Sequence, residues 1–176
     1  MKHEICCYDN DEKGVYLLEQ KTLSRLLKVT VWIILLLGIG IYAVFLPLEG
    51  RAFAEMYPEF AVWYWPWLLF LLGTALPVLA ALFLLYRISV NIGRNQSFTR
   101  RNATYMKWIS FLAFIDVVYF VLGNVIFIWL NAYHSALLFV ALFLVLLGLA
   151  IGIATAAVSH LILKAARLQE ENDLTV

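Results

Sequence analysis

Charge is scarce in this chain of 176 residues: only 14% are Asp, Glu, Lys or Arg, against 64% hydrophobic. That balance excludes an ordinary soluble domain. Cysteine is nearly absent, with Cys6 and Cys7 side by side and no others. Adjacent cysteines have poor geometry for closing on each other, and a cytosol keeps thiols reduced. With His3 and Glu4 they lack the spaced pairs of zinc sites, so they read as incidental thiols and no metal or other cofactor is expected. There is no Cys-x-x-Cys pair, no His-Glu-x-x-His and no pair of carboxylates inside an apolar run, so nothing points to an enzyme. Positive charge is almost missing from two of the three loops between the apolar runs, which hold Arg51 alone.

What is present is four apolar runs, at 29–48, 60–86, 108–130 and 136–163. Each is long enough to cross a hydrocarbon core of about 30 Å as a helix. Twelve of the thirteen Lys and Arg residues lie on one side of them. Lys2, Lys13, Lys21, Arg25 and Lys28 precede the first run; Arg87, Arg94, Arg100, Arg101 and Lys107 lie between the second and third; Lys164 and Arg167 follow the fourth. Cytoplasmic loops accumulate Lys and Arg, so both termini and the middle loop are expected in the cytoplasm. The expected fold is all-α, an antiparallel four-helix bundle embedded in the membrane. Its parts are a cytoplasmic N-terminal segment over 1–28, a membrane domain over 29–163 and an acidic cytoplasmic tail over 164–176. The first run begins only near Val29, after Glu4, Asp9, Asp11, Glu12 and Glu19, and reads as a membrane helix rather than a cleaved leader.

Along the chain, Val15–Lys28 has the spacing of a short amphipathic helix. Tyr16, Leu23 and Leu27 fall on one face, with Glu19, Gln20, Ser24 and Lys28 on the other. Such a helix lies along the inner headgroups or continues into the cytosol. Gly38, Gly40 and Pro47 are expected to interrupt and end the first span. Trp63, Tyr64, Trp65 and Trp67 form an aromatic cluster at the start of the second, first of all an interfacial belt and secondly a cage whose ring faces could hold a cation. Pro77 is expected to kink the second span and leave a carbonyl for a neighbour to satisfy. In the middle loop, Gly93 with Asn95 suits a left-handed helix end, and Ser97 or Thr99 suits the next N-cap. Phe98 between them reads as a peg into the bundle. In the fourth span Gly148, Gly152 and Ala156 recur every four residues, a stripe for close approach to another helix of the same chain or of a second copy.

Polar groups inside the runs are few. Asp116 is the only acidic one, roughly 12 Å below the inner interface counted from Trp108 at 1.5 Å per residue. Tyr119 shares its face and Asn124 lies two turns on. Ionisable groups at that depth find a partner, and His160 on the fourth helix is the nearest candidate, with Thr155 and Arg87 as others. An Asp116–His160 pair either fixes helix register or titrates as part of a proton relay.

Two strings carry a resemblance. One is Val90-Asn91-Ile92-Gly93 followed by Ser97-Phe98-Thr99 and Asn102; the other is Leu168-Gln169-Glu170-Glu171-Asn172-Asp173-Leu174-Thr175-Val176. With four helices and inside termini, the chain from Leu23 to Val176 resembles the YoaS-like family of bacterial membrane proteins, a domain of unknown function. The resemblance implies a bacterial cytoplasmic membrane and, because members are often encoded beside a small helix-turn-helix regulator, a cytoplasmic regulator as partner. It brings no catalytic residues.

The leading expectation is therefore a regulatory or sensory membrane protein whose cytoplasmic surface engages a soluble partner. That surface comprises Arg94, Phe98, Thr99, Arg100, Arg101 and Asn102 of the loop, with Glu170, Glu171, Asn172, Asp173, Leu174, Thr175 and Val176 of the tail. The last residues could add as a strand to a partner's sheet, or pack back on the loop. The alternative is a small transporter, channel or small-molecule receptor around Asp116 and His160. Beyond the lipid bilayer, a homo-oligomer through the fourth helix is compatible with the small-residue stripe. Direct nucleic-acid binding is not expected, because topology explains the basic loop.

Overall fold

Lipid offers no partner for backbone N–H and C=O groups, so apolar runs of this length must satisfy them internally, as helices. The computed structural model describes residues 2–94, 96–132 and 135–174, with side chains described over 20–94, 96–132 and 137–171. Its helices are α1 (Lys2–Gly40), α2 (Leu46–Met56), α3 (Tyr64–Ile92), α4 (Arg100–Trp129) and α5 (Ser135–Leu174). No strand occurs among the described residues. Four stretches, Gln20–Met56, Pro58–Ile92, Arg100–Trp129 and Leu137–Glu171, are long and apolar enough to cross a membrane. Only 6–11% of the most apolar window of each is buried inside the protein, so the remaining apolar surface needs lipid to cover it. The chain is an all-α membrane four-helix bundle. Its extensive helix pairings are α1 with α3, α3 with α4 and, largest, α4 with α5.

The first span does not stop at Pro47. A π turn over Ile41–Phe45 joins α1 to α2, and Pro47 takes an early position in α2. Proline lacks an N–H and its ring crowds the carbonyl four residues back, here Ala43 inside the wider π turn. The disruption is absorbed and the helix continues to Met56. A 3-10 stretch, Pro58–Trp63, then turns the chain into α3. At the other side of the molecule the helices also outrun the apolar runs: α4 starts at Arg100, and α5 continues unbroken past Lys164 to Leu174. Leu174 is helical where a strand-prone end was expected; Thr175 and Val176 lie outside the described residues.

α1 meets α3 through a face the apolar pattern did not pick. Ser24 and Val31 are buried, whereas Leu23 is 50% exposed. Leucines gain little by leaving lipid for protein, while a small residue lets two backbones approach, so Ser24 faces inward. Ser24 Oγ donates to the Ser89 carbonyl at 2.7 Å. Gly93 follows from the same contact. Its φ of −65° is right-handed, not the expected left-handed cap. A Cβ there would lie 2.6 Å from Ser24 Oγ, so close approach is what glycine serves at this position. Asn95 lies outside the described residues. Among the described residues the left-handed one is Asn131, φ 54°, after α4. Its N–H donates to Ile128 and the Ala132 N–H to Phe127, the paired bonds of a Schellman helix end.

Candidate functional site

The end of the bundle bearing both termini is built from polar side chains. Thr99 is the N-cap of α4, extended in backbone and accepting from the Asn102 N–H at 3.4 Å. Asn102 is wholly buried. Its Nδ2 donates to the Gln96 carbonyl at 2.8 Å and the Ser97 carbonyl at 3.0 Å, and its Oδ1 accepts from Asn91 Nδ2 at 2.7 Å. One amide thus ties the end of α3, the loop and the start of α4 together. Phe98, expected as the peg, is 57% exposed. The amide already occupies the inside of the turn, so the ring points out. Arg94 and Arg101 are exposed too.

Arg100 meets Glu170 of α5 side-on. Nε donates to Oε1 at 3.0 Å and to Oε2 at 3.2 Å, and Nη2 to Oε2 at 2.6 Å. Both side chains remain more than half exposed. Deeper in the same helix pair, Ser159 Oγ donates to the Ala103 carbonyl at 2.8 Å. The loop and the acidic stretch of α5 are therefore joined within the chain. The side chains of Asn172, Asp173 and Leu174 lie outside those described, as do those of Cys6 and Cys7.

Mid-span, the α4–α5 register is fixed by three contacts. Ser110 Oγ donates to the Gly152 carbonyl at 2.7 Å, Gly152 leaves room for the Phe114 ring, and a Cβ on Gly148 would lie 2.6 Å from Val117. Gly148 and Gly152 of the small-residue stripe thus face α4 of their own chain. The same register separates Asp116 from His160. Asp116 lies level with Gly148 and Leu149, and His160 with Asn102 and Ala103, about a dozen residues or roughly 18 Å apart along the axis. His160 is also exposed. The expected Asp116–His160 pair does not form, because small-residue contacts rather than polar attraction set the register. α4 starts two turns before Trp108, so Asp116 lies near the middle of the helix.

Other polar groups bond within their own helix or across to α3. Thr155 Oγ1 donates to Ile151 at 2.7 Å on its own helix, and Asn124 Nδ2 to Phe120 at 2.7 Å. Tyr119 Oη reaches across to the Phe70 carbonyl of α3 at 3.1 Å, and Tyr42 meets Thr74 at 2.7 Å. These hydroxyls gather on the turn before Pro77, whose freed carbonyl is that of Gly73. Arg87 stacks over Phe83 with its guanidinium carbon 5.0 Å from the ring centre, so it does not reach down to Asp116. Asp116 Oδ1 and Asn124 Oδ1 are buried without a hydrogen-bond partner among the described residues. No three His, Cys, Asp or Glu side chains among those residues come together as a metal site requires.

The far end is aromatic. Trp67 stacks on Phe127 with ring centres 5.3 Å apart, Phe70 lies 5.5 Å from Phe127, and Trp63 meets Phe127 edge-on at 6.3 Å. Trp67 Nε1 also donates to the Ala132 carbonyl at 3.4 Å. The tryptophan cluster divides: Trp65 is 63% exposed, while Trp63 and Trp67 turn inward. Between this core and α2 lies a cavity of about 440 Å³, lined among others by Phe53, Phe60, Trp63, Tyr64, Trp67 and, as the single charged residue among those described, Glu49. Sequence reasoning missed the roles of Asn91, Ser24 and Ser89 at the near end; at the far end its second reading, an aromatic cage, named Trp63, Tyr64 and Trp67 of the lining but not the part taken by α2. Small polar residues just outside the ends of apolar runs were the available signal for the first group.

A family model described as a protein of unknown function (DUF2975) matches residues 49–176. The match begins at α2, later than the resemblance from Leu23. No curated protein and no solved structure matches the chain.

Proposed function

We propose, from the premise that this chain belongs to the DUF2975 family of proteins of unknown function, that it is a regulatory or sensory protein of a bacterial cytoplasmic membrane. In this reading the end bearing both termini faces the cytoplasm, as the Lys and Arg distribution favours, and binds a soluble partner. The observation that carries the reading is the exposed Arg100–Glu170 pair, which holds the acidic end of α5 against the basic middle loop. Exposed ion pairs contribute little net stability and exchange readily. A partner rich in Lys and Arg can therefore take Glu170 from Arg100 without a large cost. A helix-turn-helix regulator has such positives on its DNA-facing surface, and the YoaS-like resemblance supplies the same partner class. Because α5 is helical through Leu174, the tail presents a helix end rather than an added strand. A second copy of the chain would need another face of α5, since Gly148 and Gly152 are covered by α4.

Deleting 172–176 should leave insertion and folding intact and remove the regulator from membrane fractions. Undiminished recruitment by the truncated protein would sink the tail-docking reading and leave the middle loop as the surface to test. The transporter alternative draws support from the unpartnered Asp116 Oδ1 at mid-span, but it has lost His160 as second polar group.

A further inference from the structure

We propose that the far-end cavity binds a lipophilic cation, an apolar molecule of a few rings carrying one positive charge. The site is independent of any partner at the opposite end, and failure of either proposal leaves the other standing. Its volume of about 440 Å³ falls in the range of small-molecule sites, about 300–1,000 Å³. Its walls are formed by the fold rather than left over from it. The π turn and Pro47 carry α2 across the start of α3, and Tyr64 Oη donates to the Pro47 carbonyl at 3.4 Å. Gly50 permits that closeness, since a Cβ there would lie 2.9 Å from the Tyr64 ring.

The lining states the ligand's chemistry. Trp63, Trp67, Tyr64, Phe53 and Phe60 supply rings whose faces attract cations and whose bodies accept apolar groups. Among the described residues Glu49 is the only charged side chain of the lining, and it has no ion-pair partner there. Glu55 and Glu59 are exposed at the same end with Arg51 as the single cation among the described residues, so the local field draws positive charge and repels anions. An anionic or neutral lipid chain would make no use of Glu49.

The test uses the full chain in nanodiscs of zwitterionic lipid with radiolabelled tetraphenylphosphonium, empty nanodiscs giving the background. Saturable binding is expected, weakened about threefold by Glu49→Gln, the loss that follows removal of an exposed charge partner. Neutral triphenylphosphine oxide should compete poorly, and its competition should be unchanged by Glu49→Gln. Ala54→Trp, which fills the cavity, should abolish binding of both. Glu49 is exposed, so its variant carries the test even if Ala54→Trp impairs folding. No saturable binding, or equal binding of the neutral compound with indifference to Glu49→Gln, would overturn the proposal; the second outcome would mark the cavity as a place for lipid chains.

Discussion

The two ends of the bundle are held by different forces. At the end bearing the termini, Asn102 and Asn91, Ser24 and Ser89, and Ser159 and Ala103 fasten one element to the next by hydrogen bonds. At the far end Trp67, Phe70, Phe127 and Trp63 fasten α3 and the 3-10 stretch before it to α4 by ring packing. Hydrogen bonds are directional and short, so the polar end admits one register and closes tightly. Rings fill volume without demanding one geometry, and where α2 arches over them a cavity remains. The polar end thus suits precise presentation of a surface, and the aromatic end suits reception of an apolar guest.

If the polar end depends on one amide, Asn102→Ala should have the largest effect. It leaves the Gln96 and Ser97 carbonyls and the Asn91 amide without their partner, a loss of about 2–4 kcal/mol. Unfolding measured in bicelles would show it, and a loss below about 1 kcal/mol would mean that the surrounding packing holds the loop instead. The aromatic end should respond to volume instead. A Cβ on Gly123 would fall on the Phe70 ring, so Gly123→Ala should cost about 1–3 kcal/mol by overpacking. Phe70→Leu in the same chain should recover part of that loss; additive losses would show that the two residues do not share one contact. The smallest effect on stability should come from Arg100→Gln or Glu170→Gln, because both groups are exposed. Melting should be unchanged. Spin-label distances between the loop and the end of α5 should nevertheless broaden, and high salt should broaden them in the parent protein as well.

Much of the fold was legible because its causes are local. Run length and hydropathy decide whether a segment crosses a bilayer, and Thr99 caps α4 with a side chain that reaches only its own first turn. The candidate sites were less legible. Asp116 and His160 invited pairing as the ionisable groups of adjacent helices, yet the meeting of Ser110 with Gly152 and of Val117 with Gly148 decided otherwise. Nothing in either helix alone says which small residue will lie opposite which. Phe98 misled for a related reason: a peg needs a hole, and Asn102, four residues on, had filled it.

By itself, the sequence determined that there are four membrane-crossing helices, where their apolar cores lie and which end gathers the Lys and Arg, because these depend on chain composition against lipid. Only the tertiary structure decided the rest. It turned Ser24 rather than Leu23 toward α3, since lipid satisfies leucine and close approach needs a small residue. It separated Trp63 and Trp67 from Trp65 and closed α2 over them. It joined Arg100 to Glu170 across seventy residues of chain, because charge complementarity acts only once folding has brought the two ends together.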